Sequence, residues 1–303
     1  MRNAGTTSAA RFLDPVVLAR ISNLELVARS VVEGFITGLH HAPYLGLSMD
    51  FAEHRAYMPG DDIRRIDWRL FARTDRFFVK QFEADTNTNF TVVLDQSKSM
   101  NYGTTGITKL DYAKILAACL CYFCSHQRDR VGMITFDEKI REHVPPSAKH
   151  LEVILHTLDR LKPGGQGGLT EPLRLASEHF RRRSIVCVIS DFYDEPQNVI
   201  DAIRPLMGRG NDVLAFHILD PGEIDFPYDT PMNFADSESG ETMPVVPEQL
   251  KVQYRELVLE HIATLDRLMT ENRIDYAQFT TSQPLDFPLF SFLSRRERLS
   301  RVR

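Results

Sequence analysis

Phe90-Thr91-Val92-Val93-Leu94-Asp95-Gln96-Ser97-Lys98-Ser99 decides how the rest of the chain is read. From Phe90 to Leu94 the residues are apolar or β-branched without alternation, the mark of a strand buried on both faces. The run breaks at Asp95 into polar residues, as a strand does on leaving a core. Downstream, Thr108 to His126 repeats Tyr112, Ile115, Leu116, Cys119, Leu120 and Phe123 at helical spacing. Thr108 and Asp111 form a cap pair at its start. Further strands are predicted at Arg130 to Phe136, Ser184 to Ser190, Asp212 to Ile218 and Asp275 to Thr280. Helices are predicted at Leu151 to Leu161, Glu171 to Arg182, Pro196 to Met207 and Glu248 to Glu271. The last would set Leu250, Tyr254, Leu257, Val258, His261, Leu265 and Leu268 on one face. Asn233 to Val246 reads as a hairpin around Ser239-Gly240. Strands alternating with helices predict an α/β domain over residues 89–303, with a doubly wound, mostly parallel, Rossmann-like sheet.

Residues 1–88 have a different texture and predict a smaller N-terminal region containing β-strands. Pro15 to Ser30 carries Val17, Ile21, Leu24 and Val27 at helical spacing, and His40 to Pro43 reads as a loop. Leu47 to Tyr57 and Arg76 to Glu83 read as strands on either side of the turn cluster Pro59-Gly60-Asp61-Asp62. The whole chain has 303 residues, 43% hydrophobic and 25% charged, with a formal net charge of -5. That supports a sizeable core and excludes fibrous, low-complexity and disulfide-scaffold proteins. The charge leaves no electrostatic footprint for nucleic acid. The basic end, Arg295, Arg296, Arg298, Arg301 and Arg303, reads as a solvated terminal helix. No apolar run approaches the roughly 18 residues of a membrane helix. The start lacks a signal-peptide core. A cytoplasmic protein with no transmembrane segment is therefore expected. Cys119, Cys121 and Cys124 sit in an apolar stretch and read as core thiols.

Three polar clusters fall where the predicted sheet would place a ligand. Asp95-Gln96-Ser97-Lys98-Ser99 follows the first buried strand. Gly167-Gly168-Leu169-Thr170 leads into a helix. Ser190-Asp191 ends the strand at 184–190. Ligands of open parallel sheets sit outside the carboxyl ends of the strands, where the strand order reverses. If strands 90–94 and 184–190 are neighbours there, Asp95 and Asp191 face one crevice. Asp95, Ser97, Ser99, Thr170 and Asp191 offer hard oxygen only, which suits Mg²⁺ or Mn²⁺ and not zinc or copper. Three of these groups are neutral hydroxyls, so they leave a cation's charge uncancelled and attractive to an outside carboxylate. The simpler alternative is that they only cap the helices that follow.

Asp95-x-Ser97-x-Ser99, then Thr170, then Asp191 resembles the metal-ion-dependent adhesion site of von Willebrand factor A domains. The resemblance implies that Ser97, Ser99 and Thr170 ligate the metal directly. Asp95 and Asp191 would act directly or through water, and a partner's carboxylate would complete the shell. A second stretch runs Asp50-Phe51-Ala52-Glu53-His54-Arg55-Ala56-Tyr57-x-Pro59-Gly60-Asp61-Asp62-x-Arg64-x-Ile66-Asp67-Trp68-Arg69. Phe77-Phe78-Val79-Lys80-Gln81-Phe82-Glu83 continues it. This is similar to the signature of the domain-of-unknown-function family numbered fifty-eight, whose members place it before an A-type domain. That resemblance implies partnership with an AAA+ ATPase of MoxR type and a chaperone-like role toward a client protein, in complex assembly or cofactor insertion. In the signature itself, Asp61, Asp62, Arg64, Arg65, Asp67 and Arg69 interleave opposite charges. They read as an ion-paired turn anchored by Trp68, or as a partner-binding face.

The rival to an adapter is a metal-dependent hydrolase or phosphatase using Asp95. Aspartyl-phosphate phosphatases need a second aspartate two residues on, where this chain has Ser97, and no lysine is evidently placed to finish such a site. Gly164-Gly165-Gln166-Gly167-Gly168 lacks the Gly-Lys-Ser/Thr of a phosphate loop, and no Gly-x-Ser-x-Gly elbow occurs. The histidines form no HExxH or similar pattern and read as surface or core residues. No catalytic residue is expected.

Overall fold

The computed structural model describes residues 14–21, 23–41, 54–56, 68–74, 76–80, 88–180, 183–235 and 242–301. The chain divides into two compact units, residues 1–32 with 88–303, and residues 33–87.

The N-terminal helical stretch is split. Helix α1 spans Pro15–Leu18 and α2 begins at Leu24, running to His41. The single helix expected over 15–30 is interrupted because Asn23 starts a new one, its Oδ1 accepting from the Leu26 N–H at 2.9 Å. Helix α2 also runs through His40 and His41, where a loop was expected. Asp14 caps α1 in the same way.

Within residues 33–87, β1 (His54–Ala56) pairs antiparallel with β2 (Phe78–Lys80), and α3 (Trp68–Thr74) lies between them in sequence. Phe71 and Phe77 stack with ring centroids 4.5 Å apart. Both strands fall inside the two stretches expected to be extended. The turn cluster at 59–62 and the charged run through Asp67 lie outside the described residues.

The main sheet has six strands in the order β10-β7-β6-β3-β4-β5. They are β3 (Asn89–Asp95), β4 (Arg130–Phe136), β5 (Ile140–Ser147), β6 (Ser184–Ser190), β7 (Asp212–Leu219) and β10 (Asp275–Thr280). All neighbours are parallel except β4 and β5. Helix α4 (Lys109–His126) follows β3, α5 (Leu151–Arg160) follows β5, and α6 (Thr170–His179) precedes β6. After β6 come α7 (Pro196–Ile203) and a 3-10 segment, Arg204–Gly210, where one helix to Met207 was expected. Short α8 (Pro221–Asp225) follows β7. The hairpin β8 (Met232–Ala235) and β9 (Thr242–Val245) leads into α9 (Pro247–Glu271), and α10 (Asp286–Arg301) closes the chain.

Helices cover both faces, as a sheet apolar on both sides requires. On one face Val93, Ile134, Val186, Val188 and Ala215 pack with Leu173 and Ala176 of α6, Val199, Ile200 and Ile203 of α7, and Leu265 and Met269 of α9. On the other, Phe90 and Phe123 meet Phe292 of α10 edge to face, at 5.4 and 6.1 Å between centroids. Helix α4 is buried along most of its length, including Cys119, Cys121 and Cys124. The terminal helix therefore belongs to the core at its start, with Leu289, Phe292 and Leu293 buried. The expected face of α9 is only partly covered, since Leu250 and Leu257 are exposed.

Candidate functional site

The strand order places the site. From β3 the chain proceeds outward through β4 to β5, and the return through β6, β7 and β10 builds the opposite half. The order therefore reverses between β3 and β6, which pair directly from Asn89↔Ser184 to Leu94↔Ile189. Asp95 is the last residue of β3 and Asp191 follows the last residue of β6, so both carboxylates open at this switch point.

A cleft there is lined by Asp95, Ser97, Ser99, Gly167, Gly168, Leu169, Ser190, Asp191, Tyr193 and Asp194. Four of the five sequence-predicted residues thus meet around one space. Thr170 does not line it. It is the exposed first residue of α6, next in sequence to the lining residue Leu169. The Asp95 side chain is buried. Its Oδ1 accepts from the Ser97 N–H at 2.8 Å and its Oδ2 from the Ser190 hydroxyl at 2.7 Å. No basic side chain among the described residues pairs with it. Burial, reinforced by the charge of Asp191, pushes the Asp95 carboxyl up to about 7. The Ser97 and Ser99 hydroxyls lie 3.0 Å apart. Neither Ser97 nor Thr170 caps the helical turn beside it: the 3-10 turn at Lys98–Asn101 and helix α6 both lack a side-chain cap bond.

Backbone ties hold the three loops in register. The Gln96 N–H donates to the Phe136 carbonyl at 2.8 Å. The Gly164 N–H donates to the Gln96 carbonyl at 2.6 Å, and the Lys98 N–H to the Gly165 carbonyl at 3.0 Å. Beneath the glycine run, buried Asp137 accepts from the Gly165 N–H at 2.9 Å and from Arg141 Nε at 2.6 Å. Burial raises this carboxyl, but those donors and the Lys139 N–H more than offset it and hold it below the usual range. A Cβ on Gly164 would collide with Asp137 Oδ2 and lie 3.1 Å from the Gln96 carbonyl oxygen, which explains the glycine.

Sequence reasoning missed a cation. Lys109, the first residue of α4, is fully buried, with Nζ 2.7 Å from Asp191 Oδ2 and 2.6 Å from Glu223 Oε1. Burial pulls its pKa down, and the two carboxylates more than offset this, so the ammonium stays charged. No lysine had an evident place at such a site in the sequence; the fold brings Lys109 against Asp191, behind the cleft lining. One faint signal was available: a lysine at the first position of a helix opposes the macrodipole and needs a reason. Nothing local in the sequence links it to Glu223 on α8 or to Asp191. Beside this group His217 on β7 bonds Tyr276 through Nδ1 at 2.7 Å, and burial holds it down to about 3, a neutral core histidine.

Among the described residues no group of three or more His, Cys, Asp or Glu side chains is arranged to hold a metal ion. The donor set in the cleft has a different character, the serine hydroxyls with the carboxylates of Asp95, Asp191 and Asp194. That oxygen chemistry fits a Mg²⁺-class ion, and the raised Asp95 marks negative charge that a cation would relieve.

A mostly parallel, doubly wound sheet with an oxygen-lined cleft at its switch point defines an α/β protein of Rossmann-like architecture. The chain belongs to the family described as "Protein of unknown function DUF58", which matches residues 53–264. It is 31% identical over 233 residues to uncharacterized proteins of Mycobacterium bovis and Mycobacterium tuberculosis, covering 75% of this chain and 73% of each relative. Similar solved structures include the conserved hypothetical protein BatB from Bacteroides thetaiotaomicron, at 17% identity and TM-score 0.48, over 70% of this chain and 99% of that one. The SpRpn10 VWA domain is similar at 12% identity and TM-score 0.40, over 66% of this chain and 92% of that one. No helix among the described residues is long and apolar enough to cross a membrane.

Proposed function

We propose that this chain is a metal-dependent protein-binding module, an adapter that presents a cation at the switch-point cleft to a carboxylate of another protein. One observation carries this reading. Asp95, Ser97, Ser99 and Asp191 line a single cleft, and Asp95 is buried there with no basic partner among the described residues. Ser97 and Ser99 would hold Mg²⁺ or Mn²⁺ with Asp95 and Asp191, and Thr170 would approach from the start of α6. When bound, the cation would supply a Lewis-acidic position that accepts an aspartate or glutamate of the partner. Asp95 would orient Ser97 through the N–H bond it already accepts, and Ser190 would fix the other carboxylate oxygen. The partner in this reading is an AAA+ ATPase of MoxR type, with a client protein whose assembly or cofactor loading the pair assists. Support for that partnership is the family membership and the N-terminal signature.

The test is a pull-down from source lysate with Mg²⁺ or with chelator, using wild type and Asp95→Ala. An AAA+ ATPase retained only by wild type with metal supports the reading. The same proteins in every lane, or none, overturns it. Asp95→Ala should remain folded by circular dichroism, because the strand that carries Asp95 is held by its neighbours' backbone bonds. The second reading, a hydrolase or phosphatase using Asp95, gains from the charged Lys109 beside Asp191. It predicts turnover of generic phosphate esters that Asp95→Asn removes.

A further inference from the structure

Lys109 is an expensive residue where it stands. It is fully buried, it begins a helix whose N-terminal dipole repels cations, and it occupies both Asp191 and Glu223. The Tyr193 ring, which lines the cleft, lies 5.2 Å from Nζ, so the ammonium sits directly behind the cleft wall formed by Asp191 and Tyr193. A methionine of similar length would fill the same volume without burying a charge. Holding Asp191 in place does not require a full positive charge either, since hydroxyl and amide donors already do this for Asp95.

We propose that Lys109 is a built-in counter-cation that keeps the cleft's hold on a divalent ion weak until a partner's carboxylate arrives. The inference rests on the metal-dependent reading above. Asp191 carries one negative charge, and Lys109 already draws on it through Oδ2. A divalent ion in the cleft would share that charge and be repelled by the ammonium behind it. Glu223 moderates the effect by taking part of the lysine's charge. A carboxylate from the partner adds negative charge on the open side and offsets the repulsion. Metal and partner then strengthen each other's binding reciprocally. Without the lysine, the lining carboxylates of Asp95, Asp191 and Asp194, with Glu223 behind them, would leave the cleft strongly anionic and filled with metal whether or not a partner is present.

The experiment is titration of Mn²⁺ alone into the metal-free full chain, followed by calorimetry and by electron paramagnetic resonance of the free ion. Four proteins are compared: wild type, Lys109→Met, Glu223→Gln, and Lys109→Met combined with Asp95→Ala. The expected result is Mn²⁺ binding about tenfold or more tighter in Lys109→Met and about threefold or more weaker in Glu223→Gln, with loss in the double variant. Opposite signs are the signature, because a lysine that only packs the structure would weaken binding in both variants or in neither. Unchanged or weaker binding in Lys109→Met overturns the proposal. If that variant does not fold, Lys109→Gln, which removes the charge and keeps a hydrogen-bond donor for Asp191, takes its place: tighter Mn²⁺ binding supports the proposal, and unchanged or weaker binding overturns it. Saturable binding that survives in the double variant, or its absence from every protein at millimolar metal, overturns the metal reading itself.

Discussion

Asp95 holds a negative charge in a place that resists it, and the pH dependence follows from that. Its folded-state value of about 7 lies well above the ordinary aspartate value of 3.8, through burial first and the Asp191 charge second. Between those values the metal-free folded state keeps a proton that the unfolded state has released. Stability contributed by this group is therefore full at low pH and falls as pH rises toward 7. Asp95→Asn has no such proton to lose. We expect metal-free wild type to lose about 2–3 kcal/mol relative to Asp95→Asn between about pH 5 and pH 8, read from urea unfolding at each pH. Added Mg²⁺ should close that gap at the higher pH for wild type only. A gap that stays constant with pH would mean that the carboxylate is ionised throughout at no cost, so that the cleft stores no unfavourable charge for a cation to relieve.

Short element α8 shows how the fold places a charge that the sequence could not locate. Five residues do not sustain a helix by themselves. Asp220 and Glu223 make a capping box at its start, the Asp220 N–H donating to Glu223 Oε2 at 2.8 Å, while Glu223 Oε1 reaches Lys109. Buried Asp220 also accepts from the Gly222 N–H at 2.8 Å, the Thr104 N–H at 3.0 Å, the Thr281 hydroxyl at 2.9 Å and the Thr104 hydroxyl. It thereby fastens the loop after β3, the end of β7 and the start of the segment after β10 at one point. Asp220→Ala leaves those donors buried and should cost about 2–4 kcal/mol in denaturant unfolding, whereas a loss below about 0.5 kcal/mol would show that these elements are held without it. Elements held by local pattern were legible in the sequence: β3 and β6 are β-branched runs and β7 a mostly apolar one, all buried on both faces, and α4 carries its own cap. Strand β5 was not, because Ile140-Arg141-Glu142-His143-Val144-Pro145-Pro146-Ser147 is polar and contains two prolines. Such a segment is tolerated as the antiparallel edge of the sheet, where unpaired outer positions need no N–H. Asp95, Ser97, Ser99 and Asp191 were legible because they stand at or just beyond the end of a readable strand, whereas Asp194, further along its loop, was not. Lys109 and Glu223 were not, since their meeting depends on packing between residues 114 positions apart.

At the scale of the molecule, the cleft is the meeting point of three loops: two leave the neighbouring strands β3 and β6, and the third joins α5 to α6. The outer strands, β5 and β10, each have one neighbour in the sheet, while β3 and β6 at the centre have two. Opening free energy should grade accordingly, highest in the central strands and lower at the edges, since exchange of a central amide requires separation of strands paired on both sides. The loops at 95–101, 163–169 and 190–194 are tied to one another by the Gln96, Lys98 and Gly164 backbone bonds and by Ser190 to Asp95. An ion drawing on Asp95, Ser97, Ser99 and Asp191 would therefore act on all three as one unit. Hydrogen exchange followed by mass spectrometry with and without Mg²⁺ should show slowed exchange in these three segments together, with β3 and β6 protected in both conditions. Asp95→Ala should exchange alike in the two conditions. Protection confined to one loop would mean the loops do not share a ligand, and protection spread over the edge strands would mean that the metal acts somewhere other than the switch point.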